Sequence, residues 1–259
     1  MIAGLSAWSV KFHVQRIAPK TGPTLTAGII LGAWREAPDC ERHDVFGAFR
    51  MRVIAGRALV ILEPFALFSL IMAYIWALRA IYPYLWILIL GPMLLSHVLR
   101  RETPVRLGFG THNLLPLVRK CTPLLGLLLL VFASCGILFR TVRPVGTGGA
   151  VAALAVYLPW GLMQQYMLNG YFLNRFGAVL PSRTAALVAA ALFCAAHLPN
   201  WFLMCVTFPG GYCAARVYQR CRNLYLLGLA HALAGFLIFL FVPDSISHHL
   251  RVGPAWFNG

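Results

Sequence analysis

Apolar residues run through this chain in long blocks, with polar residues gathered in short intervals between them. From residue 58 onward, seven blocks approach or reach the roughly 20 residues a helix needs to cross a bilayer. They cover residues 58–78, 81–99, 121–139, 148–172, 184–199, 201–215 and 223–242. The fifth and sixth are the weakest, and they meet at Pro199-Asn200, which predicts a tight helical hairpin. Backbone polar groups in hydrocarbon must be satisfied within the chain, so the pattern predicts an all-α, polytopic transmembrane helical bundle of about seven spans. Residues 1–54 break the pattern. Pro19, Pro23 and Pro38 interrupt them, and Lys11, Arg16, Lys20 and Arg35 precede any acidic residue. They read as a basic N-terminal segment, poorly ordered or lying on the membrane surface. The membrane domain is expected over 55–245, with a C-terminal tail over 246–259.

Composition agrees with the hydropathy pattern. The chain is 60% hydrophobic and 11% charged, with a mean hydropathy of +0.75, against roughly 25% charged in a soluble domain. The formal net charge of +15 is read as cytoplasmic loop charge facing anionic lipid, because no soluble basic patch is interleaved with aromatics. Nucleic acid is therefore set aside as a partner, and membrane lipids are expected. With a cytoplasmic N-terminus, the segments placed inside hold 18 of the 22 Lys and Arg and those placed outside hold 4. That asymmetry predicts N-in, C-out, and the expected location is a bacterial-type inner (plasma) membrane. The seven cysteines include no C-x-x-C pair, and most lie in apolar stretches, where cysteine behaves as a small hydrophobe.

Charge scarcity sharpens the few polar residues inside the blocks. Between Glu102 and Asp244 there is no carboxylate. Within that interval Gln164, Gln165 and Asn169 occupy an apolar segment. A buried amide without a partner costs about 1–3 kcal/mol, so three in six residues point to a lined cavity as well as to interhelical bonding. His197 and His231 lie in later apolar segments and are the candidates to face them. At about 1.5 Å per residue, Gln164 and His231 fall near the midplane and His197 somewhat beyond it, a mismatch that helix tilt absorbs.

Taken in order, Gln164 to Arg175, Phe193 to Asn200 and His231 to Gly235 resemble the three motifs of the CPBP family of CAAX proteases and bacteriocin-processing enzymes. In that family the first motif is Glu-Glu-x-x-x-Arg followed by Gly-Tyr and a later Arg. The second is Phe-x-x-x-His, commonly with Leu-Pro after it, and the third is His-x-x-x-Asn or Asp. Gly170-Tyr171, Arg175, Phe193, His197-Leu198-Pro199 and His231 match in spacing. The departures are Gln164 and Gln165 at the two glutamates, Asn169 at the motif arginine, and Gly235 at the final asparagine. The resemblance implies an intramembrane endopeptidase domain over 55–245, acting on a membrane-embedded peptide or prenylated substrate. It makes His197, His231, Gln164 and Gln165 the catalytic candidates. Asn169, Phe193, Arg175 and Gly235 support them, and Asn200 or Asn169 is the substitute oxyanion donor. An amide cannot take and return a proton near neutral pH. Glu63, inside the first block, reads first as an interfacial glutamate paired with a basic residue such as Arg57, and second as a carboxylate that could serve the histidines. Cys194 is a conceivable thiol nucleophile. A divalent metal on His197 and His231, with Glu63 or Cys194 as third ligand, is the one cofactor the residues suggest. The alternatives are a catalytically inactive binding or scaffold protein in the same fold, and a non-proteolytic enzyme acting on a lipid-like substrate.

Overall fold

Each apolar block holds a helix. The structure, a computed structural model, describes residues 60–257, and the basic segment expected at 1–54 lies outside them. The principal helices are α1 (Val60–Leu78), α2 (Trp86–Leu99), α3 (Leu114–Leu138), α4 (Thr147–Gln165), α5 (Ser182–Ala195), α6 (Trp201–Arg220) and α7 (Leu224–Phe241). No strand occurs among the described residues. Helix ends differ from the hydropathy blocks where the apolar run and the backbone ladder stop at different places. The third helix begins at Leu114 rather than at 121. The fourth does not end at 172, since α4 widens into π-helical turns over Tyr166–Leu173 and regains α geometry over Asn174–Gly177.

Two buried asparagines start the last two long helices. Asn200 Oδ1 accepts from the Leu203 amide at 3.0 Å, and Asn223 Oδ1 accepts from the Leu226 amide at 2.9 Å. Each satisfies a donor that the first turn leaves open, which in hydrocarbon no water would reach. The predicted hairpin is present as α5 and α6, packed along each other across the short link at 196–200.

The closest pairing, α4 against α7, rests on absent side chains. A Cβ added at Gly161 would lie 2.7 Å from the Gly228 carbonyl oxygen and 2.8 Å from the Ala232 nitrogen, and one at Gly228 would lie 2.8 Å from Leu162 Cα. Small residues let backbones approach where lipid offers no hydrophobic drive to association. The packed core gathers around the far end of α4, with Leu168, Tyr171, Leu173 and Phe176 at 2% exposure or less. The outer surface is apolar, and Leu127 to Val131 of α3 are all exposed in succession. Three helices, α1, α3 and α7, are long and apolar enough to cross a membrane.

The stretch expected as a tail is folded. A short helix, α8 (Asp244–Ser247), and two 3₁₀ turns follow α7. Asn200 Nδ2 donates to the carbonyls of Ser247 at 2.9 Å and Arg251 at 3.0 Å, while the Gly253 amide donates to Leu198 O at 2.7 Å. The C-terminal residues thus lock the α5–α6 corner.

Candidate active site

Gly161 lies one helical turn before Gln165 and Gly228 lies just before His231. The close approach of the two backbones therefore presses the amide against the imidazole. Gln165 Nε2 is 3.2 Å from His231 Nδ1, and Asn169 Nδ2 donates to Gln165 Oε1 at 2.6 Å. Asn169, Gln165 and His231 form one directed chain of hydrogen bonds. The amide N–H can only donate, so His231 Nδ1 accepts and its proton sits on Nε2. His197 is set the other way round. Its Nδ1 lies 2.7 Å from the Phe193 carbonyl oxygen, which can only accept, so Nδ1 carries the proton and Nε2 the lone pair. Phe193 joins the two rings, with centroids 4.9 Å from His197 and 5.9 Å from His231. The pair therefore presents one donor and one acceptor beside each other.

The amides also leave acceptors free. Gln164 Oε1 and Asn169 Oδ1 are buried without a protein partner. Asn169 and Gln165 lie four residues apart on one face. Their 2.6 Å bond joins two neutral amides, so neither end brings a charge into the bundle interior.

Other expected residues are engaged elsewhere. Asn200 spends its amide N–H groups on Ser247 and Arg251 and its oxygen on the α6 cap, so it anchors the C-terminal segment and offers no oxyanion donor. At Gly235 a Cβ would meet the Tyr157 ring at 3.0 Å, so an aromatic edge fills the space a side chain there would take. Cys194 Sγ turns to the Met204 carbonyl at 3.5 Å. The described residues include no group of three or more His, Cys, Asp or Glu side chains set to hold a metal. A metal at His197 and His231 would rest on two ligands, one of which carries its proton on the nitrogen that would have to bind.

Glu63 is paired with basic residues, as its interfacial reading expects, and belongs to a second polar cluster away from His197 and His231. Its carboxylate accepts from Ser96, from Arg100 and, at 2.9 Å, from Tyr171. At the centre is Arg175, 2% exposed, which donates to both oxygens of Glu102 at 3.0 and 2.8 Å and to Ser96 Oγ at 3.1 Å. Burial pushes the Glu102 carboxyl up, but hydrogen bonds from Arg175 and His97 outweigh it and hold the group below the usual carboxylate range. Ser96, His97 and Glu102 carry no motif signature. Their signal was electrostatic, because a buried guanidinium needs a carboxylate, and Glu63 and Glu102 are the acids on the side where Arg175 was expected.

Residues 136–237 match the model of a family described as type II CAAX prenyl endopeptidase Rce1-like. No curated protein and no solved structure matches the chain. The matched stretch contains the amide trio and both histidines, whereas Glu63, His97 and Glu102 precede it. Over residues 136–237 the chain is similar to the Rce1-like family, and the stretch 164–235 that resembles the three CPBP motifs lies within the match.

Proposed function

We propose that the protein is an intramembrane endopeptidase that cleaves a membrane-embedded peptide or prenylated substrate without the motif glutamates. The observation that carries this reading is the opposed state of the two histidines. His231, fixed by Gln165, offers an N–H to the oxygen of a scissile carbonyl, the position where charge develops. His197, fixed by Phe193, offers a lone pair that holds the attacking water. The free oxygen of Gln164 is a second acceptor for that water.

A multi-pass arrangement, N-in and C-out in a bacterial-type inner membrane, accompanies the proposal. It is supported by which chain ends meet. Segments assigned to the inside touch one another, as in Glu63 with Arg100 and Arg175, Arg216 with Ser182, and Arg222 with the Arg106 carbonyl. Segments assigned to the outside do likewise, in Arg143 with Asp244 and Asn200 with Arg251.

The test uses the full chain in lipid vesicles and a quenched fluorogenic peptide bearing a farnesylated cysteine. Cleavage is expected, and His197→Ala and His231→Ala each lower kcat by about 100-fold or more with unchanged thermal unfolding. Cleavage retained by both variants would overturn the proposal. A wild-type protein that binds the peptide and leaves it intact would establish the scaffold role instead.

A further inference from the structure

Beyond the end of α7 the chain adopts a backbone conformation that side chains seldom tolerate. His248, His249 and Leu250 follow one another at φ +48°, +53° and +57°, in the left-handed region where a Cβ crowds the following carbonyl oxygen. Three such residues in succession persist only where the surroundings impose them. Hydrogen bonds on both sides do so here. Asn200 Nδ2 donates to the Ser247 carbonyl before the turn and to the Arg251 carbonyl after it, at 2.9 and 3.0 Å. The Gly253 amide donates to Leu198 O at 2.7 Å. The turn is therefore fixed from the α5–α6 corner.

What the turn encloses is a cavity of about 260 Å³, lined by Asp244, Ser245, His248, His249, Arg251 and Trp256. Arg143 hydrogen-bonds Asp244 and, with Arg251 adding to it, holds that carboxyl below its ordinary range. His249 Nδ1 lies 3.2 Å from the same carboxylate oxygen. Two guanidinium ions thus act on one carboxylate, so the wall is positive even with both imidazoles neutral. Its donors are the forked N–H groups of Arg251, the Ser245 hydroxyl and the His248 ring. Trp256 closes one side, its ring centroid 3.7 Å from that of His248. Such a wall suits an anion with several oxygens.

Position narrows the choice of anion. The helix α7 is long and apolar enough to cross a membrane, and it ends at Phe241, three residues before Asp244. The cavity therefore lies at the level of one layer of headgroups, where tryptophan is enriched. Ile246 and Phe257, next in sequence to lining residues, are both exposed and apolar. At that depth the anion with several oxygens is a lipid phosphate. We propose that this cavity binds the phosphate group of a membrane phospholipid. Arg251 supplies the charge and a bidentate fork, Ser245 and His248 supply further donors, and the exposed apolar residues beside them meet the lipid's hydrocarbon. The site is separate from the amide and histidine cluster and does not depend on whether the chain cleaves a peptide.

The test follows thermal unfolding of the full chain in an uncharged detergent, titrated with short-chain dihexanoyl phosphatidylglycerol. A ligand that binds only the folded state raises the unfolding temperature with its concentration, so the wild type is expected to show a saturable rise. Arg251→Gln keeps the backbone carbonyl that Asn200 holds and should bind about tenfold more weakly. Ser245→Asp places a negative charge at an exposed position of the wall and should abolish the rise, which keeps the answer readable if Arg251→Gln folds poorly. Arg220→Gln, exposed at the far end of α6, controls for general attraction of anionic lipid and should match the wild type. Inorganic phosphate at the same concentrations forms the second arm and should give a much smaller rise, because it lacks the hydrocarbon contacts. A phosphate rise equal to that of the lipid, and lost in Arg251→Gln, would assign the cavity to free phosphate and overturn the lipid. No saturable rise in the wild type, an unchanged rise in both Arg251→Gln and Ser245→Asp, or an equal loss in Arg220→Gln would each overturn the site.

Discussion

At the scale of single residues, the informative feature is the buried pairing of two neutral amides, Gln165 and Asn169. Asn169 is fully buried, and its amide is committed to Gln165 Oε1. Introducing a charge at only one of the two positions would leave an ion without a partner in a low-dielectric interior, which typically costs about 3–5 kcal/mol. Asn169→Arg alone is therefore expected to lower the thermal unfolding temperature sharply, and Gln165→Glu alone to do so less, since a carboxyl can stay protonated. The double variant should recover most of the loss, giving a coupling energy of about 1–3 kcal/mol in a double-mutant cycle. Additive losses would show that the two amides do not act as a pair.

At the scale of elements, the site is a consequence of how near two helices come. At Gly161 every atom a Cβ would meet is backbone, and at Gly228 the nearest is Leu162 Cα, so neither position has room to give. Gly161→Ala is expected to destabilise by about 1–3 kcal/mol through overpacking. It should also cut cleavage further than stability, as α7 shifts and the 3.2 Å contact between Gln165 and His231 opens. Gly126 of α3 is the matched control, with nothing within 4 Å of its Cβ position. Gly126→Ala should be neutral or slightly stabilising, since alanine is the better helix former by about 1 kcal/mol. Equal behaviour of the two variants in unfolding and turnover assays would contradict the close-packing account. Helix positions were legible from hydropathy, and so were Gln165 and His231 as facing residues, because motif spacing records them. The π-helical widening after Gln165 was not, since apolar periodicity does not report which carbonyl an amide chooses.

At the scale of the whole molecule, the bundle has two polar ends tied by carboxylates, and the sequence revealed the acids without their partners. Glu63 lies inside an apolar block and so drew attention as the missing acid, while Glu102 looked like an ordinary loop charge. Only the fold shows that Arg175, buried on α4, reaches past the helix ends to Glu102 and fixes it. At the other end Arg143 hydrogen-bonds Asp244 and holds its carboxyl below the usual range. Both acids have folded values lower than their ordinary 4.5 and 3.8. Their contribution is complete above those ordinary values and is lost as pH falls through the lowered ones. Arg175 is 2% exposed, whereas Arg143 is 26% exposed and screened by solvent, so Glu102 carries more of the effect. Thermal unfolding in detergent should therefore be level between about pH 7 and pH 5 and fall steeply below about pH 4, near the ordinary carboxylate values. Glu102→Ala should be less stable by about 3 kcal/mol at neutral pH, because it strands a buried guanidinium. Glu102→Gln should be milder at neutral pH and show a shallower acid slope, since one of the titrating groups is gone. Asp244→Asn should change the slope little. An acid slope in Glu102→Gln as steep as that of the wild type would show that the Arg175 cluster does not govern the molecule's response to acid.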